Sequence, residues 1–237
     1  MVDALNKLVE KHRRWGFWKG DARLRNQGRI WNPKRTYRVY CKLALNLPRR
    51  TKKRLGLRLR QPLEAPAAVN AVWALDFMSG ALWSGRRFRT LNALNEGVRE
   101  GLAIEVDTNP PAKRVVRVLE RLGEVRGLPL ALRMDNGPEF IAQELVDWCQ
   151  ARGIAMRYIQ PGKPDQNAYI ERFNRTVRDE VLNAYVFEDL DQVREITSAW
   201  LRTYNEERPH EALGSLPPAR FRAKIEESKN STSDLST

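Results

Sequence analysis

Three carboxylates are candidates for chemistry: one within an apolar run, one directly after a second apolar run, and one near the start of a predicted helix. Asp76 interrupts the apolar run Val72–Met78, and Asp135 directly follows a second apolar run, Leu130–Met134. Glu171 lies near the start of a segment with helical periodicity. A carboxylate within an apolar strand is costly to bury, so it needs a partner such as a metal ion. These three residues are therefore the first candidates for chemistry.

Hard oxygen ligands of this kind suit Mg²⁺ or Mn²⁺. If the two apolar runs are neighbouring strands and the helix packs beside them, Asp76, Asp135 and Glu171 converge on one point. Three carboxylates with open coordination positions can hold two such ions, which would bridge a phosphodiester, activate the attacking oxygen and stabilise the leaving oxygen. For each residue taken alone, the alternative is a cap, a turn or a solvated charge.

The elements that must position these residues alternate between strands and helices from residue 71 onward. Strands are predicted at 72–78, 87–94, 102–106, 130–134 and 155–159. Helices are predicted after Asn109-Pro110-Pro111, near 140–152, at about 167–183 and near 190–205. The order βββ-α-β-α-β-α predicts an α/β fold in which a mixed sheet is flanked by helices. The polar segment 226–237 is predicted to fray.

Composition excludes several other classes of protein. With 237 residues, the chain can bury a sizeable core without disulfides or structural metal. Two cysteines and two histidines are too few for a disulfide framework, a four-ligand zinc site or a histidine-rich metal site. An apolar run of 18 residues is absent from the sequence, as is the apolar region of a secretory signal. We expect a soluble protein of a reducing compartment.

Positive charge is concentrated in the first quarter of the chain. Residues 1–60 hold 19 Lys and Arg against three Asp and Glu, while residues 61–237 hold 23 against 26. This excess indicates a polyanionic partner, with a well-solvated basic surface as the alternative. Short helices predicted at 3–12, 18–26 and 33–45 suit a helix-turn-helix domain that binds DNA. The candidate DNA contacts on the third helix are Lys34, Arg35, Arg38 and Lys42.

Longer motifs carry a resemblance to a known family. The stretch from Asp135 to Phe140 (DNGPEF) and the stretch from Pro161 to Asn174 (PGKPDQNAYIERFN) are similar to the core of bacterial insertion-sequence transposases of the DDE type. Between Asp135 and Glu171 lie 35 residues, the spacing of the family's D,D-35-E motif. Further matching segments are Gly85–Asn92, Ile104–Thr108 and Tyr204–His210. The chain most resembles the downstream-frame proteins (OrfB), whose core is similar to retroviral integrase.

This resemblance implies a ribonuclease-H-like core with Asp76, Asp135 and Glu171 as catalytic ligands of two Mg²⁺ or Mn²⁺ ions. It implies hydrolytic nicking at insertion-sequence ends, followed by attack of the freed 3′-hydroxyl on another phosphodiester. The implied partners are double-stranded DNA, an upstream-frame protein or a frameshift fusion with it, and further copies of the chain on DNA. No membrane association is expected, and the implied location is the bacterial cytoplasm at the nucleoid.

The predicted organisation has four parts. They are a small all-α basic DNA-binding domain (1–47), a basic linker (48–70), the integrase-like catalytic core (71–222) and a polar tail (223–237).

Polar residues around Glu171 are further candidates for DNA contacts. Arg175 and Arg178 lie on the side of the helix that carries Glu171, and they either hold a phosphate backbone or are solvated. Gln166 and Asn167 either hydrogen-bond DNA or cap the helix. The remaining candidates are Lys163, a phosphate contact in the preceding loop, and His210, which orients a phosphate or an active-site acid or has a structural role.

Three residues depart from the family's pattern and keep a second hypothesis open. Gly80 stands where relatives have Asp, Asn95 replaces an acid, and Gly97 replaces an aromatic core residue. Loss of a buried Phe side chain costs about 3–5 kcal/mol unless neighbours refill the space. The alternative to an active transposase is therefore a catalytically decayed DNA-binding relic or regulator. A ribonuclease H or general nuclease is a weaker alternative, because it would not explain the basic helical domain.

Overall fold

A computed structural model describes residues 1–48, 68–160 and 164–233, and its centre is a mixed sheet with helices on both faces. The strands are β1 (Val72–Ala81), β2 (Arg87–Asn95), β3 (Glu100–Asp107), β4 (Ala131–Met134) and β5 (Ala155–Tyr158). The α-helices are α1 (Val2–Lys11), α2 (Phe17–Asn26), α3 (Pro33–Lys42), α4 (Ala112–Arg126), α5 (Gln143–Ala151), α6 (Ala168–Val177), α7 (Leu190–Glu206) and α8 (Pro218–Ser233). A short 3₁₀ turn, Pro164–Asn167, precedes α6, and a π-helical turn, Arg178–Leu182, follows it.

The strand order in the sheet is β3-β2-β1-β4-β5. The first three strands form an antiparallel meander, because short turns can reverse the chain between them. The β4 strand lies parallel to β1, and β5 lies parallel to β4. A parallel connection needs a crossover, which α4 and α5 provide. The predicted fold class is confirmed, and the first and fourth strands are neighbours, which is the condition for their carboxylates to converge.

Both faces of the sheet are covered, so β1 is apolar on both sides. Successive side chains of a strand point to opposite faces. Trp73 and Leu75 belong to the core that β1 shares with α4 and α5. Ala74 and Met78 belong to the core that it shares with α6 and α7. By the same alternation, Asp76 faces α6.

The first three helices form a small basic domain with its own core. Its buried side chains are Leu5, Leu8, Phe17, Leu24 and Tyr40. This domain docks on the end of α7 and the loop that follows: Lys11 and Arg23 pair with Glu207 at 2.8 and 3.2 Å. The Asn26 side chain donates to the Ser215 carbonyl at 2.9 Å.

Several element boundaries differ from the predictions. The β1 strand continues beyond the predicted end at residue 78 to Ala81, because residues 79–81 pair with residues 87–89 of β2. The helix predicted at about 167–183 is α6 followed by the π-helical turn. The predicted fraying from residue 226 is wrong as far as residue 233, where α8 ends, and the predicted 222/223 boundary falls inside α8. Most of the predicted linker, residues 49–67, and residues 234–237 lie outside the described residues.

Close packing explains the glycine at position 80. Gly80 lies directly opposite Phe88 in the β1–β2 pair, and Phe88 is buried. A Cβ atom on residue 80 would lie less than 3 Å from the Phe88 ring, which is closer than real Cβ contacts allow.

We expect Gly80→Ala to lower the free energy of unfolding by about 1–3 kcal/mol, because the added methyl group overpacks this part of the core. Ser79→Ala, at the exposed neighbouring position of the same strand, is the control and should change stability by less than about 0.5 kcal/mol. Urea denaturation of the three proteins measures the difference. Equal stability of the two variants would contradict the packing explanation.

Candidate catalytic site

Asp76 lies in the middle of β1 and is held there by hydrogen bonds. Its Oδ1 accepts from the backbone N–H of Phe77 at 2.8 Å, and its Oδ2 accepts from Nδ2 of Asn174 at 2.6 Å. The Oδ1 of Asn174 in turn accepts from Nδ2 of Asn92 at 2.7 Å, and Asn92 is the direct partner of Asp76 in β2. This chain of two buried amides joins the sheet to α6 and orients the carboxylate.

The other two carboxylates reach the same region from β4 and α6. In the parallel β1–β4 pair, Ala74 lies opposite Arg133. Asp76 and Asp135 each follow two residues later, so the same register places them side by side. The Oδ1 of Asp135 accepts from the backbone N–H of Gly137 at 2.9 Å, which fixes the turn after β4. Asp135 and Glu171 are both exposed to solvent.

Electrostatics indicate that the three charges interact. Burial raises the pKa of Asp76 to about 6, although the hydrogen bonds from Phe77 and Asn174 act in the opposite direction. The negative charges of Asp135 and Glu171 add to the rise in that pKa. Asp135 and Glu171 are therefore close enough to Asp76 for their charges to affect its pKa.

The chemistry of these side chains fits a divalent cation, because carboxylate oxygens are its preferred ligands and a cation would relieve the repulsion among them. Within the residues that the structure describes, however, His, Cys, Asp and Glu side chains nowhere form a group of three arranged to hold a metal ion. Asp135 and Glu171 are exposed to solvent, and the fit to a cation rests on the chemistry of the three carboxylates.

Two arginines of the helical segment differ in their surroundings. Arg178, in the π-helical turn, is exposed, and its guanidinium donates to the Ser79 carbonyl of β1 at 3.1 Å. It therefore lies beside the strand that carries Asp76. Arg175 is exposed.

Of the two residues directly before α6, Gln166 is half-buried and Asn167 is buried. The Oε1 of Gln166 accepts from the backbone N–H of Gln160 at 2.9 Å. Asn167 is buried, makes no side-chain cap hydrogen bond, and its Oδ1 has no hydrogen-bond partner within the described ranges. Lys163 lies outside the described residues.

The four basic residues predicted on the third helix are exposed and share one side of α3. At about 100° per residue, they span little more than a quarter of the helix circumference. Thr36 and Tyr40, on the other side, are buried. The Asn32 side chain caps α3 by accepting from the backbone N–H of residue 34 at 3.0 Å. The four residues are Lys34, Arg35, Arg38 and Lys42.

Sequence reasoning missed the amides that hold Asp76. Asn174 follows Glu171 by three positions, so it lies on the same side of α6, and Asn92 interrupts the apolar part of β2. Both patterns were visible in the sequence as buried polar positions. A second buried polar group, Glu96, pairs with Arg133 at 3.1 Å, and Arg133 also donates to the Gln166 carbonyl at 3.1 Å. This pair ties the end of β2 to the start of the α6 segment.

The amide at position 95 lies away from the carboxylates. Asn95 pairs with Trp73 rather than with Asp76, and its Nδ2 donates to Oδ1 of Asn70 at 3.0 Å. The same Asn70 oxygen accepts from the indole N–H of Trp73 at 3.0 Å. Asn95 therefore has a structural role. Gly97 is buried, and the structure offers no reason for glycine there.

Two models of the integrase core domain match this chain, one over residues 66–164 and one over residues 152–218. The insertion element IS407 uncharacterized 31.7 kDa protein of Burkholderia multivorans is 41% identical over 220 residues, which make up 93% of this chain and 79% of that protein. The insertion element IS476 uncharacterized 39.2 kDa protein of Xanthomonas euvesicatoria is 40% identical over 219 residues, which make up 92% of this chain and 63% of that protein. The chain belongs to the insertion-sequence transposases with an integrase-like core.

A solved structure gives the same fold for this transposase chain. The HTLV-2 integrase catalytic core domain in complex with magnesium, in its trimeric form, aligns with a TM-score of 0.51 and 16% identity over 65% of this chain and 96% of that one. The sheet is therefore of the ribonuclease-H-like type, as the resemblance implied. Family membership connects the transposase chain with transposition-related DNA recombination. Among the helices that the structure describes, none is long and apolar enough to cross a membrane.

His210 of the transposase lies beside Tyr204, with 4.8 Å between the ring centroids. Burial, followed by the positive charge of Arg208, lowers the pKa of His210 to about 3. The imidazole is therefore neutral in the folded protein at pH 7, and its Nε2 has no hydrogen-bond partner in the described part of the chain.

Removal of the amide that holds Asp76 should weaken both the fold and the site. Asn174→Ala leaves the Asn92 amide buried without its acceptor, which should lower the free energy of unfolding by about 1–3 kcal/mol. It also removes a hydrogen bond that favours the charged form of Asp76, so the affinity for Mg²⁺ should fall. Urea denaturation and calorimetric titration with Mg²⁺ measure the two effects. Asn109→Ala, at an exposed position, is the control, and an Asn174→Ala protein that matches it in both measurements would argue against this role.

The lowered pKa of His210 makes stability dependent on pH. In the unfolded chain this histidine takes up a proton below about pH 6.5, whereas the folded protein leaves it neutral down to about 3. The contribution of neutral His210 to the free energy of unfolding is therefore fully present above pH 6.5. It is lost as the pH falls, by at most about 1.4 kcal/mol per pH unit. The stability difference between the wild type and His210→Gln should shrink from pH 7 to pH 5. A difference that is constant over this range would contradict the assignment.

Proposed function

We propose that this protein is a DNA transposase that nicks insertion-sequence ends by hydrolysis and then transfers the freed 3′-hydroxyl to another phosphodiester. Asp76, Asp135 and Glu171 are its catalytic residues and its ligands for two Mg²⁺ or Mn²⁺ ions. One observation carries the proposal: the charges of Asp135 and Glu171 act on a half-buried carboxylate, Asp76, which Asn174 of α6 holds in the middle of β1. This arrangement is costly for a protein that has no cation to neutralise it.

When bound, the two ions would supply the charge that activates the attacking oxygen and stabilises the leaving oxygen. The magnesium complex of the HTLV-2 integrase core supports the choice of metal. The protein's own contribution is orientation: Asn174 holds Oδ2 of Asp76, and the buried packing of α6 holds the backbone of Glu171. Hydrolysis and strand transfer use the same in-line geometry at phosphorus, so one set of carboxylates serves both steps.

Several exposed basic groups are suited to hold DNA next to these carboxylates. Arg178 lies beside β1, four residues beyond Asn174 on the side of the helix that faces Asp76. Arg175 is exposed four residues beyond Glu171, and both arginines are proposed phosphate contacts. Lys163 and Gln166 are proposed DNA contacts, and Asn167 is proposed to contribute only if it becomes exposed on binding DNA, because its side chain is buried.

The helical domain is proposed as a second DNA-binding unit. The basic side of α3 is exposed, and the apolar side packs on α1 and α2, which is the arrangement of a helix that enters a groove of DNA. We propose residues 1–47 as this domain, 48–70 as the linker and the residues from 71 onward as the catalytic core, with α8 continuing past residue 222. The charge excess of residues 1–60 supports this division.

The partners of this reaction follow from its chemistry. Double-stranded DNA is the proposed substrate at both the element ends and the target, and the site of action is the bacterial cytoplasm at the nucleoid. Joining two ends requires more than one active site on the DNA, so we propose a homo-oligomer. The trimeric form of the HTLV-2 integrase core is compatible with assembly. An upstream-frame protein or a fusion with it is proposed to recognise the element ends.

A decayed relic that binds DNA without cutting it is the alternative. Two of the three departures that motivated it have structural explanations: Gly80 makes room for Phe88, and Asn95 bonds Asn70. The intact set of three carboxylates favours the enzyme.

The experiment that tests the function compares wild type with Asp135→Asn on DNA that carries the flanking ends, with Mg²⁺ or Mn²⁺ and with the upstream-frame protein where the element encodes one. We expect metal-dependent nicks at one defined 3′ end in the wild type. The variant should lose more than the 10–100-fold typical of residues that only support a metal ligand, with DNA binding retained.

Asp147→Asn, an exposed position on α5, is the matched control and should nick like the wild type. Equal activity of Asp135→Asn and Asp147→Asn would refute the carboxylate assignment. DNA binding without nicks in the wild type under every condition would support the relic.

A further inference from the structure

A second site lies where the helical domain meets the catalytic core. A cavity of about 160 Å³ is lined by side chains from α2, the β2–β3 turn, α6 and the loop after α7. Most of its charged groups are basic, and Glu211 is the acidic residue on its rim. The basic and imidazole groups are Lys19, Arg99, Arg172, Arg208 and His210.

The cavity lies on a different side of α6 from the catalytic carboxylates. Asn174 and Arg178 reach β1, whereas Tyr169, Arg172 and Thr176 line the cavity. At about 100° per residue, these two sets fall on roughly opposite sides of the helix. The cavity groups therefore cannot serve as ligands of the same metal ions.

Two of the lining side chains have hydrogen-bonding atoms without partners. One terminal nitrogen of Arg99 and Nε2 of His210 are buried with no hydrogen-bond partner among the described residues. The Arg99 guanidinium stacks 3.5 Å from the ring centroid of Tyr169, and the backbone φ of Arg99 is +57°. A left-handed backbone at a non-glycine residue costs about 1–2 kcal/mol, so the fold holds this arginine in place at some expense. Buried unpaired polar atoms that line one small cavity indicate a missing polar ligand.

The charges of the cavity are also incompletely balanced. Arg208 is paired, because its guanidinium bonds both oxygens of Glu180, one of them at 2.6 Å. Burial and then the charge of Arg208 lower the pKa of Lys19 to about 8, and Lys19 and Arg172 contribute to the low pKa of His210. Positive groups that lower one another's pKa in this way would be stabilised by an anion.

We propose that this cavity binds a phosphate group and that the phosphodiester backbone of DNA supplies it. Its volume suits one phosphate and is well below the 300–1,000 Å³ of sites for larger ligands. Arginine binds phosphate oxygens with paired N–H donors, and Arg99 and Arg172 offer two such groups. One wall of the cavity belongs to the basic helical domain and another to the helix that carries Glu171. The inference rests on the proposed function for its DNA source, and it adds a DNA contact that joins the two domains.

The first experiment tests the phosphate site without DNA. The chain has two histidines, His12 and His210, so the imidazole signals in a nitrogen-15 NMR spectrum separate into two sets. Inorganic phosphate is titrated at constant ionic strength against chloride. We expect saturable shifts of the His210 signals and little change at His12, which stacks on Trp15 at 3.8 Å. Arg99→Gln should weaken phosphate binding about tenfold or more.

Two controls distinguish loss of phosphate binding from misfolding of the Arg99→Gln variant. Arg117→Gln, at an exposed position of α4, is the matched control. Unchanged His12 signals in Arg99→Gln show that the variant is folded. Lys19→Gln is a second cavity variant and should also weaken binding. His210 signals that do not respond to phosphate, or that respond equally in the wild type and Arg99→Gln, would overturn the proposal.

The second experiment identifies the source of the phosphate. DNA affinity is measured at several salt concentrations, and loss of one phosphate contact should reduce the slope of log affinity against log salt by about 1 in Arg99→Gln but not in Arg117→Gln. An unchanged slope in Arg99→Gln, together with a positive phosphate titration, would reject DNA and support free phosphate as the ligand. If the wild type binds no DNA at all, the proposed function fails, while the phosphate titration still decides the cavity.

Discussion

The parallel pairing of β1 with β4 is the constraint on which the candidate site depends, because it places Asp76 in the interior of a sheet that is covered on both faces. A carboxylate there loses most of its hydration, and its charge must be stabilised by donors or by a cation. Asn174 supplies the donor, the β4 register brings Asp135 level, and α6 lies directly over the strand. Burial raises the pKa of Asp76, because the charged carboxylate is less stable there than in water. A core with only a structural role would carry an apolar residue at this position.

The position of α6 is fixed by apolar packing rather than by its polar residues. Ile170 and Phe173 are buried against β1, β2 and α7, and full burial of such side chains is worth about 1.5–3 kcal/mol each. This anchoring leaves two other sides of the helix free for chemistry. One side carries Glu171 and Asn174, and another carries Arg172 at the basic cavity. A shift of α6 would therefore move both sites together.

Much of the fold, and the candidate carboxylates, could be predicted from the pattern and spacing of residues along the chain. Asp76 was recognisable because an acid is costly within an apolar strand, and the spacing from Asp135 to Glu171 matched a known motif. Asn92 and Asn174 were missed because each is unremarkable alone and they act only when β2 and α6 meet. The sequence showed Asn95 only as a departure from the family's pattern, and its structural role emerged once the antiparallel register placed it opposite Trp73.

The sequence by itself determined the order of strands and helices and the basic character of the first quarter, and it supplied the three candidate carboxylates. These properties are local, since periodicity, charge and motif spacing are read along one stretch of chain. Only the tertiary structure decided that Asn174 holds Asp76 and that Gly80 accommodates Phe88. It also decided that Lys19, Arg99, Arg172 and His210 line one cavity. Those relations join residues far apart in the chain, and they depend on strand register and helix packing, which no single stretch of sequence encodes.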